Sequence, residues 1–334
     1  MKKLKPYTVK AEIYCPVCKN SCNNNVLSSY SIEETAAHFC PPTRDADRYR
    51  RLTLSLKSLW KQDECLLVKC SACGFAFGFP HIGGDELFYG ILHEQYGYPG
   101  WRAEYDMAIN DVLKNYNSGL ILDIGAGTGN FLRSLNKEWE CYAVEGSETT
   151  RDILKAHGIQ TYPDLDTLAD DKTGLFTAIT IFQVLEHIAD FDSILGKCAR
   201  LLKQGGDIVI SVPDGNDMIK QEELLHCPDY PPNHINKWTK ESLSEVLSKH
   251  GFKVTQCLKS PDSLHELKSA LHVKLLGNAA QKPLSLAARV YSIKSKKMRI
   301  PLLSALAVIE AVRLLSHLKQ LRKGRSLIVY AKLQ

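Results

Sequence analysis

Asp123 stands directly ahead of three glycines spaced two apart, in the run Leu122-Asp123-Ile124-Gly125-Ala126-Gly127-Thr128-Gly129. Glycines at that spacing let a backbone turn sharply and come close to a ligand. The pattern is G-x-G-x-G, not the G-x-G-x-x-G of dinucleotide sites. A carboxylate at Asp123 would repel a pyrophosphate and attract a cation. That points to S-adenosylmethionine (SAM), whose sulfonium and ammonium groups are both positive. Glu145 follows Gly125 by 20 positions, the separation at which a βαβ unit sets a carboxylate against ribose hydroxyls. Cysteines offer a second chemistry. Cys15-Pro16-Val17-Cys18 and Cys70-Ser71-Ala72-Cys73 are two CxxC hooks. Together they supply the closed four-thiolate tetrahedron of structural Zn2+, with no position left open for catalysis. The connection from Lys19 to Lys69 is 51 residues, and loop closure costs only about 0.6 kcal/mol per doubling of length. Cys22 and Cys65 are near enough in sequence to be substitute ligands; the flanks of Cys40 suggest no such role.

The elements that must position these groups alternate in type. Leu120–Ile124 reads as a buried strand, followed by the glycine turn and the first turn of a helix from Asn130. Cys141–Gly146 reads as the second strand, Gly158–Tyr162 as the third, with Asp164 and Leu165 placed after it to meet an adenine. Phe176–Phe182 is an apolar fourth strand running into Gln183-Val184-Leu185-Glu186-His187. A helix over about 191–202 should stop at the Lys203-Gln204-Gly205-Gly206 turn by a glycine cap. Ile208–Pro213 is the fifth strand, Phe252–Cys257 the sixth and Ser326–Lys332 the seventh, antiparallel to the sixth. Strands alternating with helices at this spacing imply a parallel sheet covered on both faces.

The blocks LDIGAGTGNFL, AVEGS, FQVLEHI and LLKQGGDIVISVPD, in that order, make the chain resemble the class I SAM-dependent methyltransferases. The resemblance covers roughly residues 100–262 plus the last strand. Its nearest subgroup is the bacterial small-molecule methyltransferases of quinone, sugar and surface-polysaccharide pathways. The resemblance implies an α/β, Rossmann-like fold: a seven-stranded, mostly parallel sheet with strand seven antiparallel. It implies that Asp123, Gly125, Gly127 and Gly129, with Ala126, Asn130 and Phe131, line the methionine and ribose. Glu145 and Gly146 would hold the ribose diol, Asp164 and Leu165 would frame the adenine, and Phe182 and Gln183 would cover the fourth-strand side. Several sugar and polysaccharide methyltransferases also begin with a similar CPxC…CxxCG module. A Tyr-rich segment follows it, here Phe88-Tyr89, Gln95-Tyr96-Gly97-Tyr98 and Trp101–Tyr105. Trp101 and Arg102 either close over the methionine end of SAM or pack between modules.

The sulfonium already activates the methyl group, so a protein mainly supplies alignment; an oxygen nucleophile also needs its proton removed. Two candidates for that base follow strand ends. Glu186 and His187 fall where quinone-type O-methyltransferases carry E-x-x-E-H, but Gln183 replaces the first acid here, which weakens divalent-metal binding. A structural role for the pair stays open. The second candidate is His234 in Tyr230-Pro231-Pro232-Asn233-His234-Ile235-Asn236-Lys237-Trp238, similar to the P-N-H-x-N-x-[WF]-T stretch of polysaccharide-type enzymes. His234 would be a general base or substrate ligand, against a loop-stabilising role. Thr239, with Glu241 and Ser242 behind it, opens the next helix.

Four segments result: a zinc-binding module and connector at 1–95, a methyltransferase core at 96–262, a basic helical insertion at 263–325 and a final core strand at 326–334. The net charge of +5 conceals a strong bias, because 263–325 holds 13 Lys/Arg against 2 Asp/Glu. Its last helix is expected over about 301–321, with Glu310, Arg313, His317 and Gln320 on one stripe of an otherwise apolar surface. Burial against the core or a second copy, contact with anionic lipid, and contact with nucleic acid are the three readings. No RNA-binding motif accompanies the third. Met1-Lys2-Lys3-Leu4-Lys5-Pro6 is basic without an apolar segment. Eleven cysteines, an odd number, fit a reducing compartment better than disulfides. A cytoplasmic protein is expected, with peripheral contact at the inner membrane face as the lipid reading. The expected activity is methyl transfer to a small-molecule or saccharide acceptor, lipid-linked on the lipid reading, at oxygen. The alternatives are C-methylation of a deoxysugar nucleotide, nucleic-acid methylation, and a non-catalytic SAM-binding scaffold.

Overall fold

The computed structural model describes residues 12–23, 25–94, 100–168, 172–282 and 284–334. The basic start at 1–6, the Gln95–Tyr98 part of the aromatic connector and the expected 95/96 boundary lie outside the described residues. The chain forms two compact units. One comprises Met1–Tyr96, Gly215–Lys237 and Pro261–Arg325; the other comprises Gly97–Asp214, Trp238–Ser260 and Ser326–Gln334.

In the first unit, β1 (Val26–Ser31), β2 (Glu64–Lys69), β3 (Ala76–Phe79) and β9 (Asn236–Lys237) form an antiparallel sheet in that order. The 51-residue connection between the cysteine hooks is therefore a folded layer, not a loop. Its helix α1 (Ile32–Phe39) opens on a capping box. The Ser31 hydroxyl accepts from the Glu34 N–H at 3.1 Å, and the Glu34 carboxylate accepts from the Ser31 N–H at 3.4 Å. Helix α2 (Ala46–Trp60) opens on Asp45, which accepts from the Arg48 N–H at 3.0 Å. Arg48 is itself buried. It donates to the carbonyls of Ile91 and Leu92 at 3.0 and 2.9 Å, near the C-terminus of α3 (Glu86–His93), where unpaired carbonyls favour a cation. Leu52, Leu56, Trp60 and Phe88 fill the core between these helices and the sheet. The S-x-x-E box and the Asp45 cap were the signals for this layer.

Residues 215–237, expected in the core at 96–262, belong instead to this first unit. They form α7 (Gly215–Leu225) and then β9, whose pairing Ala76↔Lys237 and Phe77↔Asn236 ties them to β3. The insertion forms α9 (Leu264–Gln281), α10 (Leu286–Tyr291), α11 (Lys296–Arg313) and α12 (Leu318–Leu321). The single helix expected over 301–321 is thus two. It starts earlier, at Lys296, and breaks at Leu314, which with Leu321 turns into a cluster with Leu225, Ala270 and Leu271. Burying both leucines outweighs one more turn of solvent-facing helix.

The second unit is a seven-stranded sheet in the order β10-β11-β8-β7-β4-β5-β6. Its strands are β4 (Gly119–Ile124), β5 (Trp139–Val144), β6 (Gln160–Tyr162), β7 (Phe176–Phe182), β8 (Leu202–Pro213), β10 (Phe252–Lys259) and β11 (Ser326–Leu333). The pairs β4–β5, β5–β6, β4–β7 and β7–β8 are parallel, and β11 is antiparallel to both neighbours. Every residue of β7 is buried, as a strand covered on both faces requires. This is the Rossmann-like α/β fold expected of the sequence.

Two local expectations fail here for identifiable reasons. No α-helix follows the glycine turn, only a 3₁₀ turn at Leu132–Ser134. The Ser134 hydroxyl donates to the Phe131 carbonyl at 2.6 Å and Leu135 is already extended, so the local side-chain bond competes with helix propagation. Helix α6 (Phe191–Leu201) ends on extended Leu202, not on a glycine cap. The chain enters β8 at once, and Gly205 at φ +72° falls in a bulge where the register shifts between Phe176↔Leu202 and Ala178↔Asp207.

Trp238 anchors the start of α8 (Lys240–Lys249). It is fully buried, meets Phe191 edge-on at 4.9 Å and donates its indole N–H to the Leu185 carbonyl at 3.3 Å. Trp238→Ala should lower the unfolding free energy by about 3–5 kcal/mol. Trp238→Phe, which keeps the ring contact and loses the donor, should cost about 1–2 kcal/mol. Urea denaturation with an unchanged m-value checks both.

Candidate active site and metal centre

Asp123 is the fifth residue of β4 and is buried. The Thr180 hydroxyl, on the neighbouring β7, donates to its carboxylate at 2.7 Å. Burial pushes the Asp123 carboxyl up to about 7, the Thr180 bond opposing this and the nearby Glu145 charge adding to it. A carboxylate so placed gains from any cation brought to it.

The glycines that follow adopt φ of +75°, +53° and +76° at Gly125, Gly127 and Gly129, the left-handed region that glycine occupies without penalty. A Cβ at Gly125 would lie 2.3 Å from the Val184 side chain, and one at Gly129 2.4 Å from Leu154. The Gly125 N–H donates to the Val144 carbonyl at 2.8 Å, so the turn is stitched to the tip of β5. Glu145 finishes the stitch: its carboxylate accepts from the Gly127 N–H at 2.9 Å and from the Ser147 N–H at 3.0 Å. Each oxygen keeps a second acceptor direction, which is what a ribose diol needs. Gly146 lies beside it, its carbonyl accepting from Arg151 at 2.5 Å.

The other residues assigned to the cofactor divide by what their side chains do. Phe131 and Phe182 are buried against each other, edge to face at 4.9 Å, with Tyr105 at 5.5 and 5.0 Å. They form an aromatic wall, and Tyr105 joins it through its proximity to Asp123, a charge that raises its phenol after burial does. Asn130 accepts from Arg133 at 2.7 Å, and Ala126 is a backbone position of the turn. Asp164 is exposed and accepts from the Thr167 N–H at 2.8 Å, while Leu165 is buried. Trp101 is 52% exposed and donates to Asp106 at 2.8 Å; it precedes α4 (Ala103–Asp111).

Gln183 has φ +57°. Its amide nitrogen reaches Glu104 and Ser211 at 3.4 Å and Ser326 at 3.2 Å. Glu104, buried on α4, is a residue that sequence reasoning missed. Glu186 is almost fully buried, and His187 lies with its Nε2 3.9 Å from the Glu186 carboxylate and is 25% exposed.

His234 belongs to the first unit. Its Nδ1 meets the Asp229 carboxylate at 2.5 Å. Burial acts to raise the Asp229 carboxyl, but the His234 and Lys237 charges outweigh it and hold the group well below the usual carboxylate range. Lys237 is fully buried and paired with Glu222 at 2.6 Å. Burial disfavours its charge, yet Glu222 and Asp229 hold it above the ordinary lysine value. Asp229 was also missed. It lies five residues before His234 with only an irregular loop between, and no periodicity brings such a pair together.

The sulfurs of Cys15, Cys18, Cys70 and Cys73 all lie within 4.8 Å of one another, with Cys15–Cys73 at 3.6 Å and Cys18–Cys70 at 3.4 Å. Zinc–sulfur bonds of about 2.3 Å put tetrahedral sulfurs about 3.8 Å apart, so the donor set and its spacing fit Zn2+. Both hooks share one backbone form. The Cys15 carbonyl accepts from the Lys19 N–H and the Cys70 carbonyl from the Gly74 N–H, and Lys19 and Gly74 both turn left-handed, at +61° and +75°. Of the substitute ligands, Cys22 lies beside the four, its thiol next to Cys70, and Cys65 and Cys40 do not join it. Cys22 donates to the Asn20 carbonyl at 3.5 Å, while Cys65 and Cys40 are packed in the apolar core of the unit.

Three outcomes are expected. Asp123→Asn removes a buried charge and should stabilise the protein without SAM while weakening SAM binding at least tenfold. The sign follows from linkage. A carboxyl raised to about 7 leaves the folded state holding its proton longer than the unfolded chain. Stability without SAM then falls as pH rises from about 4 through 7, by at most roughly 4 kcal/mol; SAM affinity should rise over the same interval up to about pH 7. Thermal melts and calorimetry across pH check both, and Asp123→Asn should flatten each profile. The purified chain should carry one zinc per molecule in reducing buffer. Cys70→Ser should lose that metal and lower the melting temperature, as measured by elemental analysis and calorimetric scanning.

Residues 101–257 match the family described as "Methyltransferase domain". A ubiquinone biosynthesis O-methyltransferase of Xanthomonas oryzae pv. oryzae is 31% identical over 119 residues, 31% of this chain and 50% of that protein. The namesake of Aliivibrio fischeri is 25% identical over 154 residues, 41% of this chain and 65% of that protein. The chain spans about half the length of the first of these relatives. Among solved structures, an S-adenosylmethionine dependent methyltransferase from Mesorhizobium loti superposes with a TM-score of 0.44 at 16% identity, over 69% of this chain and 98% of that one. The sequence match, the strand order and the glycine turn between Asp123 and Glu145 agree on a methyltransferase domain over residues 101–257.

Proposed function

We propose that this chain transfers a methyl group from SAM to an oxygen of a small-molecule or saccharide acceptor. One observation carries the donor half. A buried, proton-hungry carboxylate and a left-handed glycine turn clasped by a second carboxylate offer a cationic nucleoside complementary charge and close backbone approach. SAM supplies the activated methyl group. Asp123 would face its positive charge, Glu145 its ribose, and the Tyr105–Phe131–Phe182 wall would exclude water behind them.

Support for oxygen as the acceptor atom is twofold. The relatives named above are O-methyltransferases. His234, oriented by Asp229, has the arrangement of a general base, with the carboxylate fixing the ring tautomer and stabilising the imidazolium that forms. Such a base would take the acceptor hydroxyl proton on Nε2 while the carbon–sulfur bond breaks, leaving S-adenosylhomocysteine and an ether. The saccharide acceptor rests on the resemblance of the cysteine module to that of sugar and polysaccharide methyltransferases.

Release of S-adenosylhomocysteine from SAM, assayed against nucleotide-sugar, quinone-precursor and surface-glycan extracts, is the test. His234→Ala should leave SAM affinity within twofold and lower kcat by about 10²–10⁴. Asp229→Asn should lower kcat and move the acidic limb of the pH profile, which a purely structural role would leave in place. Tight SAM binding with no turnover on any acceptor would establish the scaffold reading instead.

A further inference from the structure

The outward face of α11 bears an apolar stripe that the methyl-transfer chemistry does not use. On its inner side Leu303, Leu306 and Ala307 pack against the cluster of α9 and α10, and Glu310 is buried. The opposite side carries Met298, Leu302, Val308, Ile309 and Val312, each 43–65% exposed, and Leu315 follows at 62% just past the helix. Residues 298 and 315 are 17 positions apart, about 25 Å along a helix. Exposed apolar surface on this scale marks an interaction site.

Charge brackets the stripe. Lys294, Lys296 and Lys297 are exposed at its N-terminal end, and Arg313 (68% exposed), Lys319 and Lys323 follow at the other. Between Leu267 and Arg325 the sequence holds one acidic residue, Glu310, and it is buried and bonded to Arg313 at 2.6 Å. A second copy of this chain docking through the same face would bring cations to cations with no carboxylate between them. Among the described residues no helix is long and apolar enough to cross a membrane.

We propose that this face lies flat on an anionic bilayer, with the apolar stripe in the acyl–headgroup boundary and the lysine and arginine clusters on acidic headgroups. A stripe of aliphatic side chains between two basic ends complements that environment in both polarity and sign. The reading is independent of which acceptor the enzyme methylates.

Vesicle co-sedimentation of the full chain is the test. Phosphatidylcholine vesicles with and without phosphatidylglycerol at about one lipid in three would be compared in low and high salt. Binding to the anionic vesicles should be at least tenfold tighter than to neutral ones and should weaken steeply with salt. Val308→Glu with Val312→Glu should abolish it. Lys296→Gln with Lys297→Gln should weaken it severalfold and flatten the salt dependence. All four positions are exposed, so circular dichroism and SAM affinity should be unchanged. Equal binding to neutral and anionic vesicles, or full binding by the Val308/Val312 variant, would overturn the proposal. So would a concentration-dependent dimer dissolved by that variant, or capture of an acidic protein in preference to vesicles.

Discussion

A carboxylate buried at the tip of a parallel strand must be compensated, and the second unit is arranged around that requirement. Asp123 has one hydrogen-bond donor from its own sheet, Thr180 on β7, which is too little to hold a buried charge at an ordinary pKa. The backbone that follows cannot relieve it with a helix. The turn is left-handed three times, and its Gly127 N–H is committed to Glu145. The remaining compensation comes from a proton below about pH 7, or from a cation bound against the carboxylate.

The first unit solves a similar problem with different chemistry. Four thiols brought within 4.8 Å gain little from one another and much from a divalent cation that takes their protons' place. Two left-handed residues, Lys19 and Gly74, let each hook curl back on its own first cysteine. The Cys70–Gly74 hook joins β2 to β3, and β3 also pairs with β9 and hence with the chain leading out of the His234 loop. The second cysteine hook and the loop that carries His234 are therefore both joined to one sheet.

The sequence made the parallel sheet legible because buried strands there are uniform apolar runs: Phe176–Phe182 reads the same in sequence and in structure. The glycine turn and both CxxC hooks were legible because left-handed backbone and thiolate ligation tolerate few residue types. What was hidden depends on contacts between distant segments. Residues 215–237 carry no signal that β9 pairs with β3, since two-residue strands have no periodicity to read. The helix expected after Gly129 was lost to a serine–carbonyl bond, and the one expected over 301–321 was split by the burial of Leu314 and Leu321. Glu104 and Asp229 were hidden for the same reason: each acquires meaning only through a partner, Gln183 or His234, that folding supplies.

Gln183 illustrates what such a partner decides. Quinone-type enzymes place an acid at this position, in a motif suited to a divalent ion. Here the amide nitrogen is oriented toward the buried Glu104 carboxylate and two serine hydroxyls. A carboxylate in the same left-handed conformation would face Glu104 directly, with Asp123 on the adjoining strand, and the repulsion of two buried acids would raise one of them out of its charged range. The amide removes that conflict and turns an acceptor into a donor. Glu104 is then the acceptor of the pair, held by α4 from within the same unit. The Gln183–Glu104 pair therefore offers a divalent ion one carboxylate where two acids would have offered two.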